Sequence, residues 1–356
     1  MPLSSDGSAR RLVQLCAAYF SFYVITGVSV KYFLGSPSRG FPGMDGVQFL
    51  FYSTVGGNGI CLAVLFWKRW YRLKSNGPVA WGPLRFPAEY LYIVPSGICT
   101  AVVIPTTTLM YTLPISVMVA MVMMRGSVIV ISRAVDAIQI RQGILKKRVY
   151  REEDVAVAFA LAAVGVDLVG LSGTSFDFAR SPAACAILGS YVVSYAFRIY
   201  IMNYYKNTRA RGVQLDNEGF FAVEQIAATV TMLGAGALLF FAPWRAPQLV
   251  AFRAAVLHPP PAWAGATLAG VAYGMVAFFS VFIFMFKGRT ATFAGLVNRL
   301  TSLCAGTAAT LAFWLLAGGE RPKPQDWLSL AFILAAVACL ARAERRRAAD
   351  SIAAAA

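Results

Sequence analysis

Charged residues are scarce in this sequence, and histidine is nearly absent. Asp, Glu, Lys and Arg together make up 13% of the chain, against about 25% in a typical soluble domain. The one histidine, His258, lies in a proline-rich segment, and the acids of Glu152–Asp154 adjoin a basic stretch. Metal-assisted or acid–base enzymes need paired acids, or histidines that share one site. The sequence therefore predicts no enzyme activity, no cofactor and no metal site.

Nucleotide-binding loops and soluble domains are missing as well. The chain has no GxxxxGK[ST] motif, which argues against ATP as a driving force. Its six cysteines are scattered singly, without CxxC or metal-like spacing, so we interpret them as small apolar residues. The largest connections between apolar blocks are about 20 residues long: Lys68–Pro87, Val135–Glu152 and Pro243–Pro261, of which the last is proline-rich and is predicted to be an irregular outer loop. The chain is therefore predicted to be one domain, 1–356.

Long apolar runs make up most of the chain instead. Hydrophobic residues account for 58% of it, and the mean hydropathy is +0.62. Runs of about 20 apolar residues span a bilayer. Ten blocks fit this length: 13–34, 46–68, 88–111, 113–134, 153–171, 182–205, 219–242, 262–286, 291–316 and 326–342. The predicted fold class is an all-α membrane protein with ten transmembrane helices.

Lysine and arginine fall mainly on one side of the predicted bilayer. The net charge is +16, and with a cytoplasmic amino terminus 21 basic residues lie in inner segments and seven in outer ones. This asymmetry predicts that both termini, 1–12 and 343–356, are cytoplasmic. Because topology accounts for the basic excess, nucleic-acid binding is disfavoured. The plasma membrane, or the bacterial inner membrane, is the expected location.

Two arginines occupy comparable places in the two halves of the chain. Asp154 opens the fifth predicted helix 29 residues after Arg125, and Asp326 opens the tenth 27 residues after Arg299. Since five spans separate the copies, the second must run in the opposite direction. We therefore predict an inverted five-plus-five repeat, 13–171 and 182–342. Transporters with this architecture bind substrate near the midplane, where the halves meet.

Two stretches of the sequence resemble a known superfamily. LLAGGERPKPQDWLSLAFILAAVACL (315–340) and LMYTLPISVMVAMVMMRG (109–126) look like segments of the drug/metabolite transporter superfamily, which includes EamA-type permeases and nucleotide-sugar transporters. Gly319-Glu320 matches the Gly-Glu that often ends each half in that superfamily. The sequence departs from it before the fifth helix, where KKRVYREED (146–154) stands instead. The resemblance implies a ten-helix permease and does not specify the substrate.

Polar residues inside the predicted helices are the candidate site. Arg125 lies 12 positions after Leu113, roughly 18 Å along a helix, where an arginine costs about 2.5–3.5 kcal/mol unless it faces protein or water. It is either an anion-binding group or part of a structural ion pair. The predicted substrate-binding residues are Arg125, Arg299, Asn298, Tyr111 and Tyr195.

Four further residues in the predicted helices are assigned roles. Glu224 is a candidate for a coupling proton or for an ion pair, with Arg299 as its suggested partner, while Arg198 is interpreted as an anchor near the cytoplasmic surface. Pro105 and Pro114 are predicted to bend helices at a gate, because proline removes a helical hydrogen bond.

The predicted function is secondary transport of a small polar metabolite, anionic or zwitterionic, by alternating access through a central cavity. Its partners are the substrate and the lipid bilayer, with a proton or counter-substrate for coupling. One alternative is an exporter of amphipathic or cationic compounds with structural arginines. Others are a non-transporting receptor or scaffold and a membrane-embedded enzyme. The direction of transport and the oligomeric state are left open.

Overall fold

The computed structural model describes residues 9–112, 117–146, 149–169, 182–318 and 324–353. Its helices are α1 (Ala9–Phe33), α2 (Gly46–Trp67), α3 (Tyr90–Thr112), α4 (Val117–Arg141), α5 (Arg151–Val169), α6 (Pro182–Asn207), α7 (Asn217–Phe241), α8 (Pro247–Leu257), α9 (Trp263–Phe284), α10 (Ala291–Ala317) and α11 (Pro324–Ala353). A short 3₁₀ helix, Pro37–Arg39, follows α1. An antiparallel hairpin of β1 (Pro78–Trp81) and β2 (Leu84–Pro87) separates α2 from α3.

Eight of the described helices are long and apolar enough to cross a bilayer: α1, α2, α3, α6, α7, α9, α10 and α11. Large side chains such as Leu238, Leu268 and Leu316 are exposed on their surfaces, as expected where the surrounding solvent is lipid. The chain is therefore a multi-pass helical membrane protein. The described part of α4 carries four charged residues and is not among these eight helices. The prediction of ten spans is therefore confirmed in part.

The long helices pack in matched pairs. α2 lies against α9 and α3 against α7, while α1 lies against α9 and α10, and α6 against α3 and α4. α4 packs on α5 and α10, α10 also packs on α11, and α5 lies along α11. Each of the first five helices can be exchanged with a later one: α1 with α6, α2 with α7, α3 with α9, α4 with α10 and α5 with α11. This exchange reproduces the same set of helix contacts.

Glycines bring α2 and α9 into backbone contact. A Cβ added to Gly56 would overlap the Thr267 carbonyl oxygen, and one added to Gly270 would overlap the Ser53 carbonyl oxygen. No side chain fits at either position, and small residues are typical where membrane helices approach this closely. The crossing of α2 and α9 is therefore set by these two glycines.

The proline-rich segment 243–261, predicted as an irregular outer loop, contains helix α8. Its prolines lie at the helix borders rather than inside: Pro247 occupies the first turn, where the missing N–H is not needed, and 259–261 follow the end. Arg253 of α8 donates from Nε to the Phe240 carbonyl of α7 at 2.9 Å. Proline content alone therefore misled the sequence-based interpretation here.

The structure describes only one of the two prolines that were predicted to form a gate. Pro105 lies inside α3, which continues as a helix to Thr112. The Thr107 hydroxyl donates to the Val103 carbonyl at 2.7 Å, beside the proline. Pro114 lies outside the described residues. A gate at these positions stays a prediction.

A carboxylate joins the hairpin segment to the end of α6. Glu89 is buried and accepts hydrogen bonds from Ser75 Oγ (2.5 Å), the Asn76 backbone N–H (2.6 Å) and Arg209 Nη1 (2.7 Å). Burial by itself would raise the pKa of Glu89, but these donors together hold its pKa below the ordinary value. The junction therefore depends on an ionised carboxylate.

Acid is expected to weaken this junction. Because the pKa of Glu89 is lower in the folded protein than the unfolded value of about 4.3, its contribution to stability is complete above that pH and is lost as the pH falls through the folded pKa. We expect Glu89→Gln to lower the thermal unfolding midpoint at neutral pH, with the gap to wild type closing in acid. A gap of constant size from neutral to acidic pH would contradict this assignment.

Candidate functional site

Three arginines lie buried within helices, well away from both helix ends. Arg125 of α4, Arg198 of α6 and Arg299 of α10 are 7%, 6% and 7% exposed. Each stands at least eight residues from the nearer end of its helix, which is about 12 Å or more along the axis. A charge at that depth is costly unless it is paired or binds a ligand. The partner of each arginine therefore indicates its role.

The partner of Arg198 is Glu224. Arg198 donates from Nε to Glu224 Oε1 at 2.9 Å and from Nη2 to Oε2 at 3.0 Å. The hydroxyls of Ser96 and Thr100 on α3 also donate to Oε1, at 2.6 and 3.2 Å. Both charged side chains are buried. This carboxylate thus joins α3, α6 and α7 through a fully hydrogen-bonded ion pair.

That pairing corrects two interpretations of the sequence. Glu224 does form an ion pair, but with Arg198 rather than with Arg299. Arg198 is not a surface anchor: α6 continues to Asn207, nine residues further, so Arg198 lies about 14 Å from the helix end. Its guanidinium is bound to Glu224 inside the bundle, so it does not extend to the headgroups. The predicted span, 182–205, ends only two residues before the observed helix, so the sequence lacked the partner of Arg198 and not the length of α6.

Arg299 has donors that no described residue uses. Its guanidinium carbon lies 5.0 Å from the centroid of the Tyr195 ring, a cation–π arrangement. Its Nε and Nη2 atoms are buried and have no hydrogen-bond partner among the described residues. Together these atoms form one edge of the guanidinium plane, which can bind a carboxylate or phosphate through two parallel hydrogen bonds. Arg299 can therefore accept an anion without breaking a described ion pair.

Arg125 extends from α4 toward α1 and α10. Its Nη2 donates to the Tyr23 hydroxyl at 3.4 Å, and its guanidinium carbon lies 5.9 Å from the Tyr23 ring centroid. On the α10 side, a Cβ added to Gly306 would lie 3.5–3.6 Å from the guanidinium nitrogens. The two repeat-related arginines therefore make the same kind of contact, Arg125 with a tyrosine of α1 and Arg299 with a tyrosine of α6.

Four tyrosines surround these arginines. Tyr19 and Tyr23 of α1 interact electrostatically with both guanidinium groups, and Tyr191 and Tyr195 of α6 interact with that of α10. Ring centroids are 5.5 Å apart in the α1 pair and 4.9 Å apart in the α6 pair. The side chains of α1, α4, α6 and α10 thus combine positive charge with aromatic hydroxyls.

The tyrosines of α1 were not predicted as site residues, although the sequence holds a signal for them. Tyr19 and Tyr23 are four positions apart, as are Tyr191 and Tyr195, and residues at that spacing share one helix face. Tyr23 is the fifteenth residue of α1 and Tyr195 the fourteenth of α6. A repeated YxxxY at matching places in both halves would have identified all four.

The remaining predicted binding residues are only partly placed. Asn298 is buried in α10 and donates from Nδ2 to Ser280 Oγ at 3.0 Å, while its Oδ1 finds no hydrogen-bond partner in the described part of the chain. Tyr111 lies in α3, but its side chain is outside what the structure describes. Asn298 therefore leaves a buried acceptor atom on α10, and binding roles for Asn298 and Tyr111 stay predictions.

Polar contacts join the helices at the end of the bundle where α4 ends and α10 begins, which we call the basic end. Asp136 of α4 is buried and accepts from the backbone N–H groups of Ala291 (2.9 Å) and Thr292 (2.6 Å). Asn203 of α6 donates to the same carboxylate at 3.3 Å. A carboxylate at a helix amino terminus satisfies free N–H groups and complements the helix dipole. Asp136, for which the sequence predicts no role, therefore caps α10 from α4.

A second carboxylate extends this network to α5 and α11. Glu153 accepts from the hydroxyl of Thr290, the residue that precedes α10, at 3.0 Å, and from Arg347 of α11 at 2.5 Å. Arg347 also pairs with Glu344, which in turn pairs with Arg289. The basic ends of α4, α5, α10 and α11 are thus linked through ion pairs and helix caps.

Comparisons with known proteins bear on the fold alone. No family model matches the sequence, and no curated protein matches it. A solved crystal structure is similar to this chain, with a TM-score of 0.52 and 15% sequence identity. The similarity covers 95% of this chain and 99% of the other. The arrangement of helices, over nearly its whole length, therefore occurs in a solved structure.

Proposed function

We propose that this chain is a secondary transporter that moves a small anionic or zwitterionic metabolite by alternating access between two five-helix halves. The observation that carries this proposal is Arg299, a buried guanidinium whose Nε–Nη2 edge has no partner among the described residues. A protein rarely buries such donors unsatisfied, and a binding site for an anion accounts for them. No catalytic step is assigned to the protein.

The packing supports an inverted repeat. The helix contacts are preserved when each of the first five helices is exchanged with its counterpart, and the arginine–tyrosine contacts follow the same exchange. In this proposal α4 and α5 complete the ten spans, and both termini lie in the cytoplasm because the basic end faces inward. These features favour membership of the drug/metabolite transporter superfamily.

Flux through reconstituted protein tests the proposal. Purified wild-type protein in liposomes is expected to exchange a labelled anionic metabolite from a broad panel, with saturation. Arg299→Gln is expected to abolish that flux, whereas Arg133→Gln is not. Arg133 is a matched control because its ion pair with Asp154 (2.9 Å) is partly exposed. The panel includes zwitterions as well as anions. If wild-type protein exchanges no compound of the panel, or if Arg299→Gln exchanges the transported compound at the wild-type rate, the proposal is wrong.

The network at the basic end is the expected inner gate. Opening the bundle toward the cytoplasm must separate α4 from α10 at this end, and Asp136 holds them together. We expect Asp136→Asn to lower the free energy of unfolding by about 0.5–2 kcal/mol, the usual cost of a lost helix cap. The variant is also expected to admit a membrane-impermeant thiol reagent from the cytoplasmic side faster than wild type. Slower entry, or entry at the wild-type rate, would contradict the gate assignment.

A further inference from the structure

We propose that the substrate carries a carboxylate, which binds to the Nε–Nη2 edge of Arg299. This inference rests on the proposed transport function and specifies the chemical class of its substrate. The same edge of Arg198 binds the Glu224 carboxylate with distances of 2.9 and 3.0 Å. The protein thus contains one arginine whose Nε–Nη2 edge binds a carboxylate and one whose edge has no partner among the described residues.

The two arginines share an aromatic neighbour. The guanidinium carbon of Arg198 lies 5.9 Å from the Tyr195 ring centroid and that of Arg299 lies 5.0 Å from it. Each of the two arginines is buried to more than nine-tenths. Similar surroundings favour similar ligands, and a planar carboxylate matches the two donors of a guanidinium edge. Glu224 therefore serves as an internal example of the group that Arg299 binds.

The neighbouring side chains favour a carboxylate over a phosphate. A phosphate monoester has three terminal oxygens, so it would need donors beyond the one edge, such as the tyrosine hydroxyls. A carboxylate needs only the two donors of that edge. Asn298, adjacent in the chain, already uses its Nδ2 to donate to Ser280. Arg125, the second nearby cation, donates from Nη2 to Tyr23. The edge alone therefore suffices for a carboxylate and does not suffice for a phosphate.

Ligand-induced stabilisation tests the substrate class. Thermal unfolding of purified protein is measured with short monocarboxylates and amino acids, with the neutral amide of each carboxylate, and with inorganic phosphate. We expect carboxylates to raise the unfolding midpoint increasingly with their concentration and the amides to leave it unchanged. Arg299→Gln should abolish the shift, Arg299→Lys should reduce it because a lysine cannot bind two oxygens in parallel, and Arg133→Gln should retain it.

A second test needs no added ligand. Tyr195 already contacts the guanidinium of Arg299, so Tyr195→Glu places a carboxylate within its reach. We expect the unfolding midpoint of Tyr195→Glu to exceed that of the isosteric Tyr195→Gln. In an Arg299→Gln background that order should disappear or reverse. Equal midpoints for the glutamate and glutamine variants, with Arg299 intact, would overturn the assignment of this edge to a carboxylate.

The outcomes separate this inference from the transport function. Stabilisation by phosphate and by no carboxylate would overturn the substrate class and leave transport of anions standing. Stabilisation by carboxylates that persists in Arg299→Gln would overturn the site. If no anion stabilises the protein, the inference fails, and flux in liposomes decides the transport function independently.

Discussion

Replacing Glu224 with alanine is expected to lower the free energy of unfolding by about 3–5 kcal/mol, the cost of leaving one member of a buried ion pair without its partner. Arg198 would lose both hydrogen bonds of its Nε–Nη2 edge. The hydroxyls of Ser96 and Thr100 would lose an acceptor at the same time. Chemical or thermal unfolding in detergent measures the loss. We expect this loss to exceed that of Asp136→Asn at the basic end.

Two controls define what that loss means. Asp154→Ala removes the carboxylate of a partly exposed pair with Arg133, for which about 0–1 kcal/mol is expected. The double variant Arg198→Met with Glu224→Leu replaces the pair by apolar groups and should recover much of the stability lost by Glu224→Ala, because no charge is left unpaired. If Glu224→Ala costs no more than Asp154→Ala, the buried pair does not stabilise the bundle.

Arg299→Gln is expected to have the opposite pattern, a large effect on binding and a small one on folding. Removing one partner of a buried, hydrogen-bonded charge pair costs about 2–5 kcal/mol, so the substrate should bind about 30- to 4,000-fold more weakly. The free energy of unfolding should change by less than about 2 kcal/mol, the upper range of a desolvated cation–π contact. No described ion pair is broken by the substitution.

Binding and unfolding measured on the same preparation test this pattern. The dissociation constant is taken from the concentration dependence of the thermal shift, and the folding cost from the midpoint without ligand. Arg133→Gln is the control for loss of a guanidinium from a long helix. A variant that unfolds as readily as Glu224→Ala and binds substrate as tightly as wild type would show that Arg299 is structural.

The helices and two of the three buried arginines could be predicted from the sequence, because each depends on local composition. Long apolar runs predict spans without knowledge of their neighbours. Arg125 and Arg299 stood out because a cation within such a run is costly. The arginine–tyrosine contacts could also have been predicted, since the YxxxY spacing of α1 is repeated in α6.

The partners of the charged groups could not be predicted in the same way. Glu224 meets Arg198 because α6 and α7 both pack against α3. Hydropathy does not encode which helices share a neighbour. Asp136 caps α10 because two helices distant in sequence meet at the basic end. That contact belongs to the packing of the whole bundle, and residues near Asp136 carry no sign of it.

Accessibility of the Tyr195 position from both sides of the membrane is the most direct test of alternating access at this site. A cysteine is placed there in a background whose six native cysteines are replaced by alanine, and sealed vesicles of each orientation are treated with a negatively charged, membrane-impermeant thiol reagent. The proposal predicts labelling from both sides, slowed by the transported anion in each case. Labelling from neither side, or from one side only whether or not the anion is present, would contradict it.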